Sequence, residues 1–498
     1  MSEPQAQDSN EEPAGEQQVS APTPQEPGQT VESLSEDLSN KMTVTSDELA
    51  AGAATGESAP QEPEAQKPPE SIAEPAPAAA AEPAAPQAGE TCAEAPPPVV
   101  APEAAAESAP AADSVQQTAQ VAESAGPEEA AAKCNLTLVL HEKLRMELEQ
   151  SPLPPRPRPN EVQLATHTVG ICGSDVKYWQ CGKIADFVLT KPMILGHETS
   201  AVVLEVGDQV SSLKPGDRVA VEVGVPCAEC QICRRGLYNL CARMSFAATP
   251  PHDGTLRRYF NHPANYCFKL PERVTLEEGA LLEPLAVAVH ACQRAPIGLD
   301  QVVLVCGAGA VGLLSMLSAR AFGATHVIVT DISQSRLDFA KACGASETLL
   351  MSRELQVGEA AQLVRQAVRK LRPLREVDGV DVVLECSGAE SSLQLALRAA
   401  ALGSTIVCVG CQPDQVSIPL GLAVMQEVDI KGVFRYRNCY PLAMSLVEAG
   451  KIQLGPLITH RFKLEQSAQA FETCLKGEGV KILIKCVDEK QQQLANVK

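Results

Sequence analysis

From Leu136 onward the chain alternates short apolar runs with turn residues: NLTLVL, then NEVQLATHTVG after the Pro-rich PLPPRPRPN, then TSAVVLEVG and DRVAVEVG. Strands this short and this often interrupted predict an antiparallel, barrel-like β unit. The texture changes near Glu283. QVVLVCGAGAVGLLSMLSARAFGATHVIVTD reads as an apolar run, a Gly-rich turn, a helix and a second apolar run ending on an acid. Further buried-strand candidates follow at VDVVLECSG, STIVCVG and VDIKGVF, separated by helical stretches such as SSLQLALRAAALG. Strands alternating with helices predict a parallel, doubly wound sheet, so the class is α/β. After Phe434 the pattern is irregular, with a helix expected in NCYPLAMSLVEAGKI and a terminal strand in VKILIKC. The expected divisions are 1–133, 134–285, 286–434 and 435–498, the last returning to the second.

Composition removes the first quarter from the folded part. Residues 1–133 contain no Phe, Tyr or Trp and carry 25 Asp and Glu against 3 Lys, which leaves 37 acids and 38 bases for the rest. Such a segment cannot bury enough apolar surface to offset the entropy of ordering, so an acidic, disordered tail is expected. It is too acidic for a mitochondrial presequence and lacks the apolar run of a secretory signal. Its charge opposes nucleic acid and anionic membranes, and no later stretch is long and apolar enough for a membrane span. A soluble, cytoplasmic protein is expected, and eighteen cysteines fit a reducing compartment.

Four of these, Cys227, Cys230, Cys233 and Cys241, lie within fifteen residues. A Cys-x2-Cys-x2-Cys-x7-Cys run can enclose a tetrahedral zinc without outside help. Four protein ligands leave the ion no open position, so such a site holds shape and does no chemistry.

Gly307, Gly309 and Gly312 form Gly-x-Gly-x-x-Gly directly after the VVLVC run and at the start of a helix. The spacing suits a tight turn, a close approach to a pyrophosphate and close packing of helix on strand, with phosphates at the helix N-terminus. Asp331, 19 residues beyond Gly312, ends the next strand, where a carboxylate accepts from ribose hydroxyls and repels a 2′-phosphate. NAD is therefore expected over NADP. Arg336 is a counter-signal, since it can serve the adenine face, a phosphate or only solvent.

Cys172 in VGICGSDVKYW, with the adjacent His197 and Glu198 in ILGHETSA, offers ligand types for a second metal with one position left open. From these residues alone, ordinary buried side chains are the commoner explanation and a metal the less common one.

Taken together, the glycine motif, the upstream GHE, the Cys of VGICGSD and the four-cysteine run resemble the zinc-dependent medium-chain dehydrogenases. GICGSDVKYW, KPMILGHE, LKPGDRVA, ATPPHDGTL, EEGALLEPL, VCGAGAVG and VDIKGVFRY make the chain similar to their polyol branch from about Leu136 to Cys486. The resemblance implies a GroES-like catalytic domain, a Rossmann domain, zinc and NAD as cofactors, a polyol substrate and a homo-oligomer, a tetramer in that family. It implies that Cys172, His197 and Glu198 hold a catalytic zinc and that Glu283 reaches the metal directly or through its water. Ser174 would begin a proton relay. Tyr178, Arg435 and Tyr436 match polyol-binding positions, and Phe246 and Thr249 the pocket wall. Val311, Asp331, Arg336, Val409, Gly410, Cys411, Val433, Phe434 and Arg435 match cofactor contacts, beside the glycines.

Two departures matter. The structural-zinc cysteines are lost in some members of the polyol branch, vertebrate ones included, yet all four are present here, implying two zincs per subunit. Lys177 stands where the family often has His, so it either carries the proton or contacts the cofactor. The rival readings are a zinc dehydrogenase of another alcohol or of threonine, and a catalytically silent relative that binds or supports.

Overall fold

The computed structural model describes residues 135–487, and the expectations for 1–133 lie outside them. Two main sheets organise the fold. In the first, the central strand Glu161–Gly170 pairs antiparallel with Glu198–Val206 on one side and with both Tyr259–Pro263 and Lys481–Lys485 on the other. Arg218–Val221 and Cys267–Lys269 continue it outward from Glu198–Val206, and Ile458–Lys463 lies beyond Lys481–Lys485. The terminal segment thus returns to the first half of the chain.

The second sheet is parallel and six-stranded, in the order Glu347–Leu350, His326–Asp331, Val302–Cys306, Val380–Glu385, Ala400–Cys408, Asp429–Gly432. Numbered along the chain this is 3-2-1-4-5-6, the doubly wound order, whose crevice opens where the direction of winding reverses, between Val302–Cys306 and Val380–Glu385. All five residues of Val302–Cys306 are buried because helices cover both faces. Val303 and Val305 join the core with Leu313 and Met316, while Val302, Leu304 and Cys306 join the one with Val364 and Ala396. A continuous apolar run serves two cores this way because side chains alternate along a strand. Each such Val or Leu contributes about 1.5–3 kcal/mol by leaving water.

Several boundaries differ from the pattern read from sequence. SSLQLALRAAALG is helical only to Ala399, within Glu390–Ala399, and its last residues already belong to Ala400–Cys408. Apolar small residues suit either element, and here pairing with Val380–Glu385 decides. Helix Leu282–Arg294 spans the expected border at 285/286, and ten of its thirteen residues are buried. NCYPLAMSLVEAGKI forms the helix Tyr440–Glu448.

Glu222, just past Arg218–Val221, is a buried carboxyl whose pKa burial pushes up to about 7, against the lowering effect of the Tyr238 hydroxyl, which donates to it at 2.7 Å. A raised acid pKa contributes stability that is complete below the unfolded value, near 4.5, and is lost as pH rises through about 7. Glu222→Gln should therefore flatten the decline in denaturation midpoint between pH 5 and 8. An unchanged pH slope would show that Glu222 is already ionised at pH 5.

Candidate active site

Two segments meet at a largely buried cluster. Cys172 caps the N-terminus of helix Gly173–Cys181, and Glu198 opens the strand Glu198–Val206 directly after His197. One ligand atom from each of Cys172, His197 and Glu198 lies within 4.8 Å of the others. Asp175, three residues after Cys172 and fully buried, organises them. Its Oδ2 accepts from the Cys172 amide at 3.1 Å, its Oδ1 accepts from the Gly196 amide at 2.9 Å, and Oδ1 lies 3.3 Å from His197 Nδ1. Burial raises the Asp175 pKa, but His197 and the two amides outweigh it and hold the carboxyl below its usual range. Burial lowers that of His197, while Asp175 and Cys172 raise it well above the ordinary value. A carboxylate on Nδ1 leaves Nε2 as the ligand atom. The Ser174 hydroxyl lies 3.4 Å from that Nε2.

Glu198 is matched by Lys481, whose ammonium abuts its carboxylate and also donates to the Ile171 carbonyl at 3.1 Å. Any side chain at Gly170 would collide with the Glu198 carboxylate, so VGICGSD needs glycine there. Glu283, in the first turn of Leu282–Arg294, is buried but outside the 4.8 Å group. Burial pushes its pKa up to about 7, with His197 lowering it and Glu198 raising it.

Around this cluster, the Arg435 guanidinium lies 3.8 Å from the centre of the Phe246 ring and donates to Thr249 Oγ1 at 3.4 Å. Tyr436 is buried with no hydrogen-bond partner for its hydroxyl, and burial raises its pKa. Tyr178 is also buried, and burial pushes its phenol up to about 12 while Arg435 lowers it. Arg435 thus lies beside Phe246, Thr249 and Tyr178, side chains far apart in the chain. Asp175 and Lys481 were not anticipated. The Asp of GSD carried a readable signal, an acid at the third position of a helix, and the lysine directly before the apolar run of the KILIK strand carried another.

On the parallel sheet, Gly307, Gly309, Asp331 and Arg336 line one cavity of about 460 Å³, with Ser352 and Arg353. Val311, Gly312, Val409, Gly410, Cys411, Val433 and Phe434 are not in its lining. Gly307 has φ 98°, a left-handed turn that favours glycine. A side chain at Gly312 would strike the Gly307 carbonyl, whereas at Gly309 it would meet open space, the room a pyrophosphate needs at the helix start. Asp331 Oδ2 accepts from the Ala308 amide at 2.7 Å and Oδ1 from the Ser333 amide at 2.9 Å, which fixes the carboxylate beside the cavity. Arg336 is held at 3.4 Å from the Gly477 carbonyl. The buried Glu385, also unanticipated, accepts from the Ser387 and Gly388 amides, and its carbonyl accepts from Val409 and Gly410, tying the two turns together. Lys177 is exposed, with Nζ 3.9 Å from Cys411 Sγ.

The sulfurs of Cys227, Cys230, Cys233 and Cys241 also lie within 4.8 Å of one another. Four thiols converging without a disulfide, on a lobe with little core of its own, have the donor set of a tetrahedral zinc. Cys172, His197 and Glu198 have that of an open one.

Comparison with known proteins agrees with this geometry. Residues 158–272 match the alcohol dehydrogenase GroES-like domain and residues 310–449 the zinc-binding dehydrogenase domain. Sorbitol dehydrogenase of Bos taurus is 50% identical over 358 residues, 72% of this chain and 98% of its own length. A crystal structure of an Escherichia coli oxidoreductase of unknown specificity aligns with TM-score 0.66 and 32% identity, covering 71% of this chain and all of that one. One of a zinc-binding dehydrogenase of Sinorhizobium meliloti bound to NADP aligns at 0.64 and 26%, covering 71% and 99%. The fold is that of the zinc-dependent medium-chain dehydrogenases, and within them the chain belongs to the sorbitol dehydrogenase family.

Asp175→Asn should loosen metal retention at the Cys172 cluster by about 10–100-fold, because the second partner of a ligating histidine fixes its ring and basicity. Zinc content after dialysis against a competing chelator measures this. Retention equal to the parent's would show that Asp175 only supports the fold.

Proposed function

We propose that the protein is a zinc-dependent polyol dehydrogenase that oxidises a secondary hydroxyl, with sorbitol to fructose as the main reaction and xylitol and iditol as overlapping substrates. The observation that carries this reading is the convergence of half-buried Cys172 with buried His197 and Glu198, and the Phe246 ring that lies between His197 and the Arg435 guanidinium. Half-identity to a sorbitol dehydrogenase over nearly its whole length supports it. Zinc at Cys172, His197 and Glu198 would polarise the hydroxyl as a Lewis acid, and the nicotinamide would accept the hydride.

The chain's own groups do the rest. Arg435, Tyr436 and Tyr178 bind the further hydroxyls that a simple alcohol lacks, and Phe246 and Thr249 shape the wall. A site of paired polar groups discriminates strongly, since the wrong substrate leaves them unmatched. Glu283, which does not share the 4.8 Å grouping of Cys172, His197 and Glu198, would hold the water or hydroxyl beside the metal position. Ser174 Oγ hands the proton outward. Lys177 reaches toward the cofactor turn at Cys411, which favours cofactor contact over proton relay. The four-cysteine lobe carries a second, structural zinc.

Asp331 favours NAD over NADP, with Val311, Val409 to Cys411 and Val433 to Arg435 completing the cofactor site. Exposed Val424, Met425 and Ile430 beside the outer strand Asp429–Gly432 support a homo-oligomer, and a tetramer is the state proposed. Among the described residues no helix is long and apolar enough to cross a membrane, and every cysteine is a free thiol, which supports a cytoplasmic location.

Sorbitol should exceed ethanol widely in kcat/KM, and Arg435→Ala should cut the sorbitol value by about 10–100-fold, the loss of a charged hydrogen bond. Better turnover of ethanol or threonine by the parent would overturn the polyol assignment. Asp331→Ala should narrow the preference for NAD in the same assay, and a parent that favours NADP would assign that choice to Arg336 or Arg353.

A further inference from the structure

The segment that carries Arg435 and Tyr436 has an unfavourable backbone. Arg435 has φ 54°, a left-handed conformation that such a side chain adopts at a cost and keeps only where its surroundings dictate it, and Asn438 has φ 52°, which asparagine tolerates. The segment follows the last strand of the parallel sheet, Asp429–Gly432, and precedes helix Tyr440–Glu448, so regular structure fixes it only outside its two ends. Both ends are met by one short turn of the four-cysteine lobe, Tyr238–Leu240, between Cys233 and Cys241.

At the first end, Asn239 Nδ2 donates to the Phe434 carbonyl at 2.9 Å. Asn239 is only 4% exposed, although it sits on the lobe. At the second end, the Asn438 amide donates to the Tyr238 hydroxyl at 2.6 Å. An amide can only donate, so the phenolic proton must point the other way, to Glu222 Oε1 at 2.7 Å. Glu222 is buried at the end of a barrel strand and gives Tyr238 a fixed anchor. Two adjacent lobe residues thereby bracket Arg435, Tyr436 and Arg437, and neither belongs to either ligand cluster.

We propose that Tyr238 and Asn239 are positioning residues for substrate selection, holding the strained Phe434–Asn438 segment so that Arg435 and Tyr436 present their polar groups to a polyol. The four-cysteine lobe is then coupled to specificity as well as to stability, because its fold sets where this turn lies. The inference rests on the polyol reading above.

The test uses the full-length zinc-loaded enzyme with Tyr238→Phe and Asn239→Ala made separately, and Glu222→Gln as a control that keeps the Tyr238 hydroxyl and an acceptor for it. Each of the first two variants should raise KM for sorbitol about 3- to 10-fold, the range of one lost hydrogen bond, with kcat and zinc content within twofold of the parent. The ratio of sorbitol to 2-propanol efficiency should fall by a similar factor, since 2-propanol has no further hydroxyls to engage, and Glu222→Gln should leave that ratio unchanged. Hydrogen exchange should show the Asn438 amide opening faster in Tyr238→Phe, a readout available even if activity is lost. A parent inactive on sorbitol would defeat the polyol reading itself. A sorbitol-active parent whose variants keep the parent's ratio, or in which Asn438 exchange is unchanged, overturns the positioning role.

Discussion

The Asp175 carboxylate is withdrawn from water, and a buried charge is tolerated only where donors around it replace hydration. Here the donors are the amides of Cys172 and Gly196, and the His197 imidazole adds a favourable charge interaction from 3.3 Å. Removing any one leaves charge uncompensated, so the helix start and the turn before Glu198 are held in one register. Cys172 and His197 come from different elements, and this shared acceptor makes their approach a property of the fold. Lys481 does the corresponding work for Glu198 from the terminal strand, which explains why the chain must return to the first sheet after completing the second.

Close approach is the second constraint. Gly170 leaves room for Glu198 and Lys481, and Gly312 lets its helix lie against the Gly307 carbonyl, so both halves of the cleft depend on a missing side chain. Between them, Lys177 reaches Cys411 and Arg435 reaches Phe246 and Thr249, contacts that join the parallel sheet to the first half of the chain. Binding at such a seam can draw hydride donor and acceptor together while excluding water.

Much of this is legible in the amino-acid sequence. Val302–Cys306 announced a strand covered on both faces because all five residues are apolar, and the glycines after it marked the turn. The four cysteines announced their own convergence because the ligands lie close in sequence. Cys172, His197 and Glu198 are different: their residue types suggest an open metal site, but 25 residues separate the first from the second, and the resemblance is what favours a metal over ordinary buried side chains. Asp175 and Lys481 escaped notice because a charged residue is ordinarily solvated, and burial is a property of the assembled sheet. The end of Glu390–Ala399 was misread for a related reason, since AALG fits a helix or a strand until a neighbour pairs with it. Tyr238 and Asn239 lie some two hundred residues from the segment they hold, a separation no local pattern spans.

The measurement that bears most directly on the active site is anomalous diffraction at the zinc edge from crystals of the purified protein, paired with sorbitol turnover on the same preparation. One peak among Cys172, His197 and Glu198 and a second among Cys227, Cys230, Cys233 and Cys241 are expected. A preparation that oxidises sorbitol at full rate with density only at the four cysteines would contradict the assignment of the reaction to the Cys172, His197 and Glu198 cluster.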